Sequence, residues 1–414
     1  MNTPLFIARK MSGERRRGSR VVRLTSGIVV GSIVISVCVM ILSLSVVNGF
    51  KYEIRARTAG FSGDLLVSLP QAGWYSENIP LSRDLAFVPQ MAAHPAVRHT
   101  QPFAHAQGLL KTADAIQGIL IKGVGSEYDG SFFNSCLVSG RLPHWSDSLP
   151  CMELLISKRL ADAMLLKTDD AMLVYFIGEA VRQRRFVVSG IYDAVLEEVD
   201  KSLVIGDIRV MQQLNGWQPH QVSGIEFFLH DSRQAEPVAD ALVDIVGRYA
   251  QDHDPVISIK TLKEQFPTLY DWLNLMDVNL LIVLTLMILV AGVNMFSGLL
   301  ILLFDKIAAI GLLKALGMKD TDVRKTFLYR AGALVLLGMA GGNILGLLLC
   351  LAIQRFGLFS LNPDSYFVSQ VPIQLQGWGI LLMNAVAFVL IMLLMLLPTM
   401  QIARMQPDKS LRMK

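Results

Sequence analysis

Four long stretches of the chain carry no charged residue, and they constrain the fold more than any other feature. They are Leu24–Val47, Val278–Phe304, Ala331–Ile353 and Gly377–Leu397. About 20 helical residues cross the hydrocarbon core of a bilayer. Hydrophobic residues make up 52% of the chain and charged residues only 17%, which is too little charge for an ordinary soluble protein. The sequence therefore predicts an α-helical membrane protein with four transmembrane helices.

The segment between the first two stretches, residues 48–277, has the composition of a water-soluble domain. Its roughly 230 residues can bury a core of their own. Short runs rich in β-branched and aromatic residues predict strands at Asp64–Leu69, Gly118–Val124, Ala171–Ile177, Arg185–Ile191, Ser202–Ile205 and Gly224–Leu229. Apolar residues spaced three and four apart predict helices at Ser157–Leu165, Ile208–Leu214 and Ala235–Tyr249, with Ser157 and Asp207 as N-caps. An inserted α+β domain is predicted.

Basic residues lie at three places that the positive-inside rule assigns to the cytoplasm. Seven precede Leu24 against one acid, Glu14, six lie in residues 305–330, and four lie in the tail 398–414. The segment 354–376 has only Arg355. We therefore expect both termini, the segment 1–23 and the loop 305–330 inside, and the large domain and residues 354–376 outside.

Two further features of the large domain leave alternatives open. Cys136 and Cys151 both lie on the predicted outer side, where a disulfide and a pair of buried free thiols are about equally consistent with the spacing. Apolar residues repeat at three and four through Ser258–Asp277, which predicts an amphipathic helix leading into the second span. Pro267 would kink that helix or begin a new one.

The sequence shows no pattern that predicts an enzyme. No phosphate loop, H-E-x-x-H, C-x-x-C or G-x-S-x-G pattern occurs, so no catalytic residue, cofactor or metal is predicted for this chain. The seven histidines lack metal-ligand spacing and are predicted to be surface or capped residues. Nucleic-acid binding is not predicted. Three asparagines inside apolar stretches, Asn294, Asn343 and Asn384, need hydrogen-bond partners, either between helices or along a substrate path.

The loop after the second stretch is the most informative segment. It reads DKIAAIGLLKALGMKDTDVRKTFLYR from Asp305 to Arg330. Ile307, Ile310, Leu313 and Leu316 form an apolar stripe, and Gly317 is predicted to end the helix. Such a helix either lies on the membrane surface or docks on a soluble partner.

At this loop the chain resembles the FtsX-like permeases of ATP-binding cassette (ABC) transporters, whose pattern is close to E-[KR]-x-x-E-I-G-[IL]-[LM]-[KR]-A-[LI]-G. Asp305 and Ala309 stand where that pattern has glutamates. The resemblance implies that the segment 278–410 is an FtsX-like permease domain and that this loop couples to an ATPase through Asp305, Lys306, Ile307, Ile310, Gly311, Leu313, Lys314, Ala315, Leu316 and Gly317.

The resemblance extends over nearly the whole chain. Ile121-Lys122-Gly123-Val124, Ser139-Gly140-Arg141, Ile156 to Ala161 and Val188 to Tyr192 are similar to a MacB-type periplasmic domain. The basic N-terminus, the first apolar stretch and Asn48-Gly49-Phe50 resemble lipoprotein-releasing permeases of the LolC and LolE type, and the tail resembles the family's A-x-R-x-x-P-x-x-x-L ending.

That resemblance implies a multi-pass protein of the bacterial inner membrane with a periplasmic domain. The expected partners are a cytoplasmic ABC ATPase that holds ATP and Mg, a second copy or a homologous permease, membrane lipid, a lipoprotein substrate and a periplasmic carrier. A substrate path beside Asn48, Phe50 and Asn294 is implied between spans one and two. Two alternatives remain, a mechanotransmission subunit that drives a periplasmic partner and a membrane-tethered sensor without an ATPase.

Overall fold

The structure is a computed structural model that describes residues 20–70, 79–112, 115–145, 150–177, 181–194, 200–250, 256–315, 317–357, 359, 361, 368 and 370–396. The chain divides into two compact units. We call residues 1–51, 273–360 and 370–414 the helical unit, and residues 52–272 and 361–369 the sheet unit.

The described residues form helices and strands whose bounds follow in chain order. The helices are α1 Arg20–Ser62, α2 Val88–Ala92, α3 Ser131–Ser135, α4 Lys158–Met164, α5 Ile208–Asn215, α6 Ala235–Tyr249, α7 Leu262–Gln265, α8 Pro267–Ala315, α9 Asp320–Phe356 and α10 Gly377–Leu394. The strands are β1 Leu65–Ser68, β2 Leu81–Ser82, β3 Val97–Lys111, β4 Ile116–Val124, β5 Leu137–Gly140, β6 Glu153–Ser157, β7 Ala171–Ile177, β8 Val181–Tyr192, β9 Leu203–Asp207, β10 Gln221–Val222, β11 Gly224–Leu229 and β12 Ser258–Thr261.

Helices α1, α8, α9 and α10 contain the four apolar stretches. Each is long and apolar enough to cross a membrane, with mean hydropathy between 2.2 and 2.7 in its most apolar window. Three of them extend well beyond the predicted spans, because charged residues such as Lys51 and Glu53 interrupt an apolar run without interrupting helical hydrogen bonding.

In the helical unit, glycines on α9 allow close contact with α1. A Cβ atom at Gly342 would lie 2.7 Å from Val37 Cβ, and one at Gly338 would lie 2.7 Å from Ile33 Cβ. Gly346 lies against Ile41 in the same way. Small residues one turn apart are typical of helix pairs in membranes, where close backbone contact supplies the van der Waals attraction that apolar burial from water cannot.

The asparagines on α9 and α10 satisfy each other. Asn343 Nδ2 donates to Asn384 Oδ1 at 2.9 Å, and Asn384 Nδ2 donates to Asn343 Oδ1 at 3.0 Å. Each amide also donates to a backbone carbonyl one turn earlier on its own helix. Of the two roles that the sequence leaves open for these asparagines, hydrogen bonding between helices is confirmed for Asn343 and Asn384.

The sheet unit is built on a ten-stranded mixed sheet. Its strand order is β12-β1-β11-β3-β4-β9-β6-β8-β5, and β7 pairs with β3 and β8. Helices α2, α5 and α6 contribute to the main core, as with Met91, Met211 and Leu242. Gly123 on β4 makes room for α5, since a Cβ there would lie 2.7 Å from Ile208 Cα. The α+β prediction for this segment is confirmed.

The predicted caps and most predicted elements are present. Ser157 Oγ accepts from Leu160 N and caps α4, and the carboxylate of Asp207 accepts from Arg209 N and caps α5. Strand β3 was not predicted, because Pro102 and Gly108 interrupt its alternating pattern.

The prediction of one amphipathic helix over Ser258–Asp277 is wrong. Residues Ser258–Thr261 form β12, which pairs antiparallel with β1. Thr261 and Glu264 then form a capping box that begins the one-turn helix α7. Pro267 lacks an N–H and its ring excludes the preceding turn, so it begins α8 instead of continuing α7. Of the two roles considered for this proline, the start of a new helix is confirmed.

Candidate functional site

The register of the strands places four polar side chains on one face of the ten-stranded sheet. Glu226 on β11 lies directly opposite Gln101 on β3, and His105 on β3 lies directly opposite Lys122 on β4. Gln101 and His105 are four residues apart on one strand, so their side chains point to the same face. The four residues therefore form one cluster, which we call the buried polar cluster.

Lys122 and Glu226 form a buried ion pair at the centre of this cluster. Lys122 Nζ donates to Glu226 Oε1 at 2.5 Å, and both side chains are 2% exposed. Gln101 Nε2 donates to Glu226 Oε2 at 2.8 Å, and Gln101 Oε1 accepts from Asp129 N. Burial lowers the pKa of Lys122, while Glu226 opposes that shift. Each charge has its partner, as a buried pair requires.

The same lysine holds the last turn of α1. Lys122 Nζ donates to the carbonyl oxygen of Phe61 at 2.5 Å, and a cation at a helix C-terminus also stabilises the carbonyl dipoles there. Gly63 adopts the left-handed conformation (φ 66°) that ends the helix. Asp64 then accepts from Leu229 N at 2.7 Å. The end of α1 is thus fixed to strands β4 and β11.

The prediction that the histidines are surface or capped residues is wrong for His105. It is half-buried, its ring centroid lies 4.6 Å from that of Phe103, and it lies beside the charge of Lys122. Desolvation and that neighbouring cation lower the pKa of His105 to about 3. The imidazole is therefore neutral at physiological pH.

The lowered pKa of His105 predicts a loss of stability in acid. Between about pH 6.5 and pH 3 the unfolded chain takes up a proton at this residue and the folded chain does not, so stability falls as pH falls through that window. We expect His105→Gln to flatten the decrease in unfolding temperature between pH 7 and pH 4.5, measured by thermal unfolding of the full chain in detergent.

His220→Gln is the matched control for this experiment, because His220 is exposed. It should leave the wild-type pH profile in place. A profile for His105→Gln that coincides with that of the control would contradict the prediction.

A cavity of about 320 Å³ opens beside the buried polar cluster. The ion pair and His105 form part of its wall, and Phe61, Leu66, Phe103 and Leu203 contribute apolar surface. Further lining residues are Ser62, Ser68, Ser223, Lys260, Glu264, Gln265 and Pro267. All of these residues belong to the sheet unit.

The predicted ATPase-coupling residues lie at the C-terminal end of α8. Gly311 is buried, and Lys314 Nζ lies 2.8 Å from Asp320 Oδ1 of α9. Gly317 adopts φ 89°, and its N–H donates to Lys314 O, so the predicted end of the helix at this glycine is confirmed. Leu316 lies outside the described residues, as do the side chains of Asp305, Lys306, Ile307, Ile310, Leu313 and Ala315.

The residues of the implied substrate path lie on two helices of the helical unit. Asn48 is half-buried and Phe50 is buried on α1, and Asn294 is half-buried on α8. Between the first two, Gly49 allows the chain at Pro372 to approach, since a Cβ there would lie 2.1 Å from Pro372 O. All three residues belong to the helical unit.

Cys136 and Cys151 are free thiols in the structure, and burial raises the pKa of each. Of the two alternatives left open by their spacing, a disulfide and a pair of buried free thiols, the structure has free thiols, but both are half-buried and not buried. Among the residues that the structure describes, no group of three or more His, Cys, Asp or Glu side chains could hold a metal ion.

Two family descriptions of known proteins match this chain, one over the segment that contains most of the sheet unit and one over the segment that contains most of α8 and all of α9 and α10. The description "MacB-like periplasmic core domain" matches residues 26–245, and "FtsX-like permease C-terminal" matches residues 281–407. The chain belongs to the FtsX-like permeases of MacB type. The resemblance read from the coupling loop and from the strings around Lys122 is confirmed.

Three curated relatives of this FtsX-like permease align along most or all of its length. The "Lipoprotein-releasing system transmembrane protein LolC" of Xylella fastidiosa (strain Temecula1) is 26% identical over 100% of both chains. LolC of Neisseria meningitidis serogroup B is 24% identical over 92% of each. LolE of Haemophilus influenzae is 22% identical over 99% of each.

In the sequence, Lys122 belongs to a string that resembles the MacB-type domain, whereas Glu226 and Gln101 belong to none of the strings that carry the resemblance. A signal was present, because Lys122 interrupts the otherwise apolar run Gly118–Val124 and Glu226 interrupts the otherwise apolar run Gly224–Leu229. A charged residue in the middle of a predicted buried strand indicates a partner, since an unpaired buried charge is costly. Which residue is the partner depends on strand register, which the local sequence does not give.

Proposed function

We propose that this chain is the permease subunit of an ABC transporter that releases lipoproteins from the inner membrane to a periplasmic carrier. The observation that carries the proposal is the alignment with lipoprotein-releasing permeases over the full length of both chains. Such a subunit is not itself an enzyme. A separate ATPase would hold ATP and Mg and supply the energy.

The apolar helices and the charge distribution support a specific topology. Helices α1, α8, α9 and α10 would each cross the bacterial inner membrane once. Both termini and the α8–α9 turn would be cytoplasmic, and the sheet unit and residues 354–376 would be periplasmic. Helices α1 and α8 each contain residues of both units, so a movement of either helix would reach the periplasmic domain through continuous backbone.

The end of α8 is where we place the contact with the ATPase. Gly317 ends α8, and the ion pair between Lys314 and Asp320 spans the turn to α9. The apolar residues Ile307, Ile310 and Leu313 would enter a groove on the ATPase. A second copy or a homologous permease would place two such helices on two ATPase subunits.

Leu313→Asp is expected to release the ATPase. Burying a leucine side chain in a groove contributes roughly 1.5–3 kcal/mol, and a carboxylate in its place adds a desolvation cost. A loss of about 3 kcal/mol corresponds to about a hundredfold weaker affinity. Co-purification of the ATPase with tagged permease measures this directly.

Leu313→Ile keeps the apolar surface and is the control, so it should retain the ATPase. Gly311→Glu, two residues earlier in the predicted coupling segment, should also release the ATPase. If the native permease carries no ATPase, or if both charged variants retain it in full, the coupling proposal fails and the tethered sensor becomes the better reading.

Lipoprotein sorting tests the substrate. Depletion of this permease should leave lipoproteins in the inner membrane, which membrane fractionation detects. Normal sorting in depleted cells would favour the alternative of a mechanotransmission subunit, which the match of residues 26–245 to the MacB-like periplasmic core domain fits equally well. In that case the ATPase contact would stand and the lipid step would not.

A further inference from the structure

The cavity beside the buried polar cluster has the properties of a ligand site that the transport proposal does not use. Its volume of about 320 Å³ is within the range of small-molecule sites in proteins. Its wall combines apolar side chains with a few fixed polar groups, as such sites do. Its lining contains none of the predicted ATPase-coupling residues.

The charges around the cavity cancel. Its lining includes two lysines, Lys122 and Lys260, and two glutamates, Glu226 and Glu264. Lys122 and Glu226 neutralise each other, with 2.5 Å between Nζ and Oε1. The carboxylate of Glu264 accepts from Thr261 N at 2.9 Å in the capping box. His105 is neutral, because its pKa is lowered to about 3. The lining has no net charge, so a ligand with a net charge would find no excess of opposite charge to offset its desolvation.

The polar groups of the lining favour a hydrogen-bond donor on the ligand. Gln265 Oε1 is buried and has no hydrogen-bond partner among the residues that the structure describes. An unsatisfied buried acceptor is costly, and a ligand hydroxyl or amide N–H would satisfy it. On the apolar side, the rings of Phe61 and Phe103 and the side chains of Leu66 and Leu203 offer surface for a hydrophobic body.

We propose that this cavity binds an uncharged small amphiphile with an apolar body and a hydroxyl or amide donor. The donor would hydrogen-bond Gln265 Oε1, and the body would lie between the aromatic and aliphatic walls. The ligand would touch Phe61 and Ser62 in the last turn of α1 and Pro267 at the start of α8. Occupation would therefore stabilise the ends of both long helices inside the sheet unit.

Thiol labelling of the full chain tests the preference for an uncharged ligand. Ser68 lines the cavity and is 7% exposed, so Ser68→Cys reports access to it. Three methanethiosulfonate reagents serve as probes: a neutral benzyl, a cationic trimethylammonium-ethyl and an anionic sulfonatoethyl compound. Mass spectrometry of the labelled peptide separates this site from the native cysteines. Ser139, exposed on β5, provides Ser139→Cys as the strand control.

At Ser68→Cys the benzyl reagent should react at least ~10-fold faster than either charged reagent, since burying an unpaired charge costs more than 1.4 kcal/mol. At Ser139→Cys the ratio of the benzyl reagent's rate to the rate of either charged reagent should be much closer to one. Equal rates for the three reagents at Ser68→Cys would overturn the proposal. So would a folded Ser68→Cys protein that none of them labels. Ser223→Cys, on another strand of the lining, replaces Ser68→Cys if that variant does not fold.

Protection by added compounds identifies the source of the ligand. Monolaurin, a lipid-derived amphiphile with hydroxyl donors, and 2-phenylethanol, a soluble aromatic alcohol, are the two probes. Slower benzyl labelling at Ser68→Cys with monolaurin indicates a lipid source, and slower labelling with 2-phenylethanol alone indicates a soluble metabolite. Protection by neither compound overturns the proposal. These measurements require neither ATPase nor lipoprotein, so their outcome is independent of the transport proposal.

Discussion

Replacing Lys122 with methionine is expected to destabilise the sheet unit by about 3–5 kcal/mol, because it leaves an uncompensated buried carboxylate. Glu226 would lose its counter-ion at a side-chain exposure of 2%. The Phe61 carbonyl at the end of α1 would lose its donor at the same time. A domain of ordinary stability has only about 5–15 kcal/mol in total, so the variant should be close to unfolding at physiological temperature.

The double variant Lys122→Met with Glu226→Gln separates charge from packing. It removes both charges and keeps an acceptor for Gln101 Nε2, so most of the lost stability should return. Lys260→Met, a half-buried lysine of the same cavity, should change stability by no more than about 0.5 kcal/mol. Thermal unfolding and limited proteolysis of the full chain measure all three variants. Equal stability of the two single lysine variants would contradict the role given to the ion pair.

Gly342→Leu is expected to separate α9 from α1 and to leave little folded permease in detergent. The first atom of the new side chain would lie 2.7 Å from Val37 Cβ and 2.9 Å from the backbone oxygen of Val34. Backbone and Cβ atoms cannot rotate away, so the helices must move apart. Overpacking of this kind costs typically 1–3 kcal/mol, and the contacts of the neighbouring Gly338 and Gly346 would be lost with it.

Gly332→Ala on the same helix is the control. The nearest atom to a Cβ at that position is Met392 Cε at 3.7 Å, an ordinary contact. Alanine also gains up to about 1 kcal/mol in helix propensity over glycine, so this variant should be as stable as the wild type or more so. Size-exclusion chromatography after a heating series measures both variants. An unchanged midpoint for Gly342→Leu would show that α1 and α9 do not pack through these glycines.

The elements that the sequence predicted correctly are those with a local cause. Ser157 and Asp207 cap helices because a short side-chain oxygen can reach the free N–H groups of the next turn, whatever lies around it. Gly317 ends α8 because a residue without a Cβ adopts a positive φ at little cost. The single helix predicted over Ser258–Asp277 was wrong at its start, because residues Ser258–Thr261 are too few for their own pattern to decide and pairing with β1 makes them a strand.

The buried polar cluster could not be assembled from the sequence. Its charged members are far apart along the chain, and Lys122 and Gln101 lie on strands whose register depends on the packing of the whole sheet. The neutral state of His105 follows from that register too, because it is the cross-strand neighbour of the lysine. By contrast, the family resemblance at Gly311 and Gly317 could be identified from the order of residues along the chain alone.

The four uncharged stretches by themselves determined that this chain has long apolar helices. A segment of that length without charge can cross the hydrocarbon core, and as a helix it forms all of its backbone hydrogen bonds internally. They did not determine how those helices meet. Asn343 pairs with Asn384, and Gly342 lies against Val37, only because tertiary packing brings particular turns of different helices together. Hydropathy is a sum over a segment, whereas a hydrogen bond or a close contact depends on the positions of individual atoms.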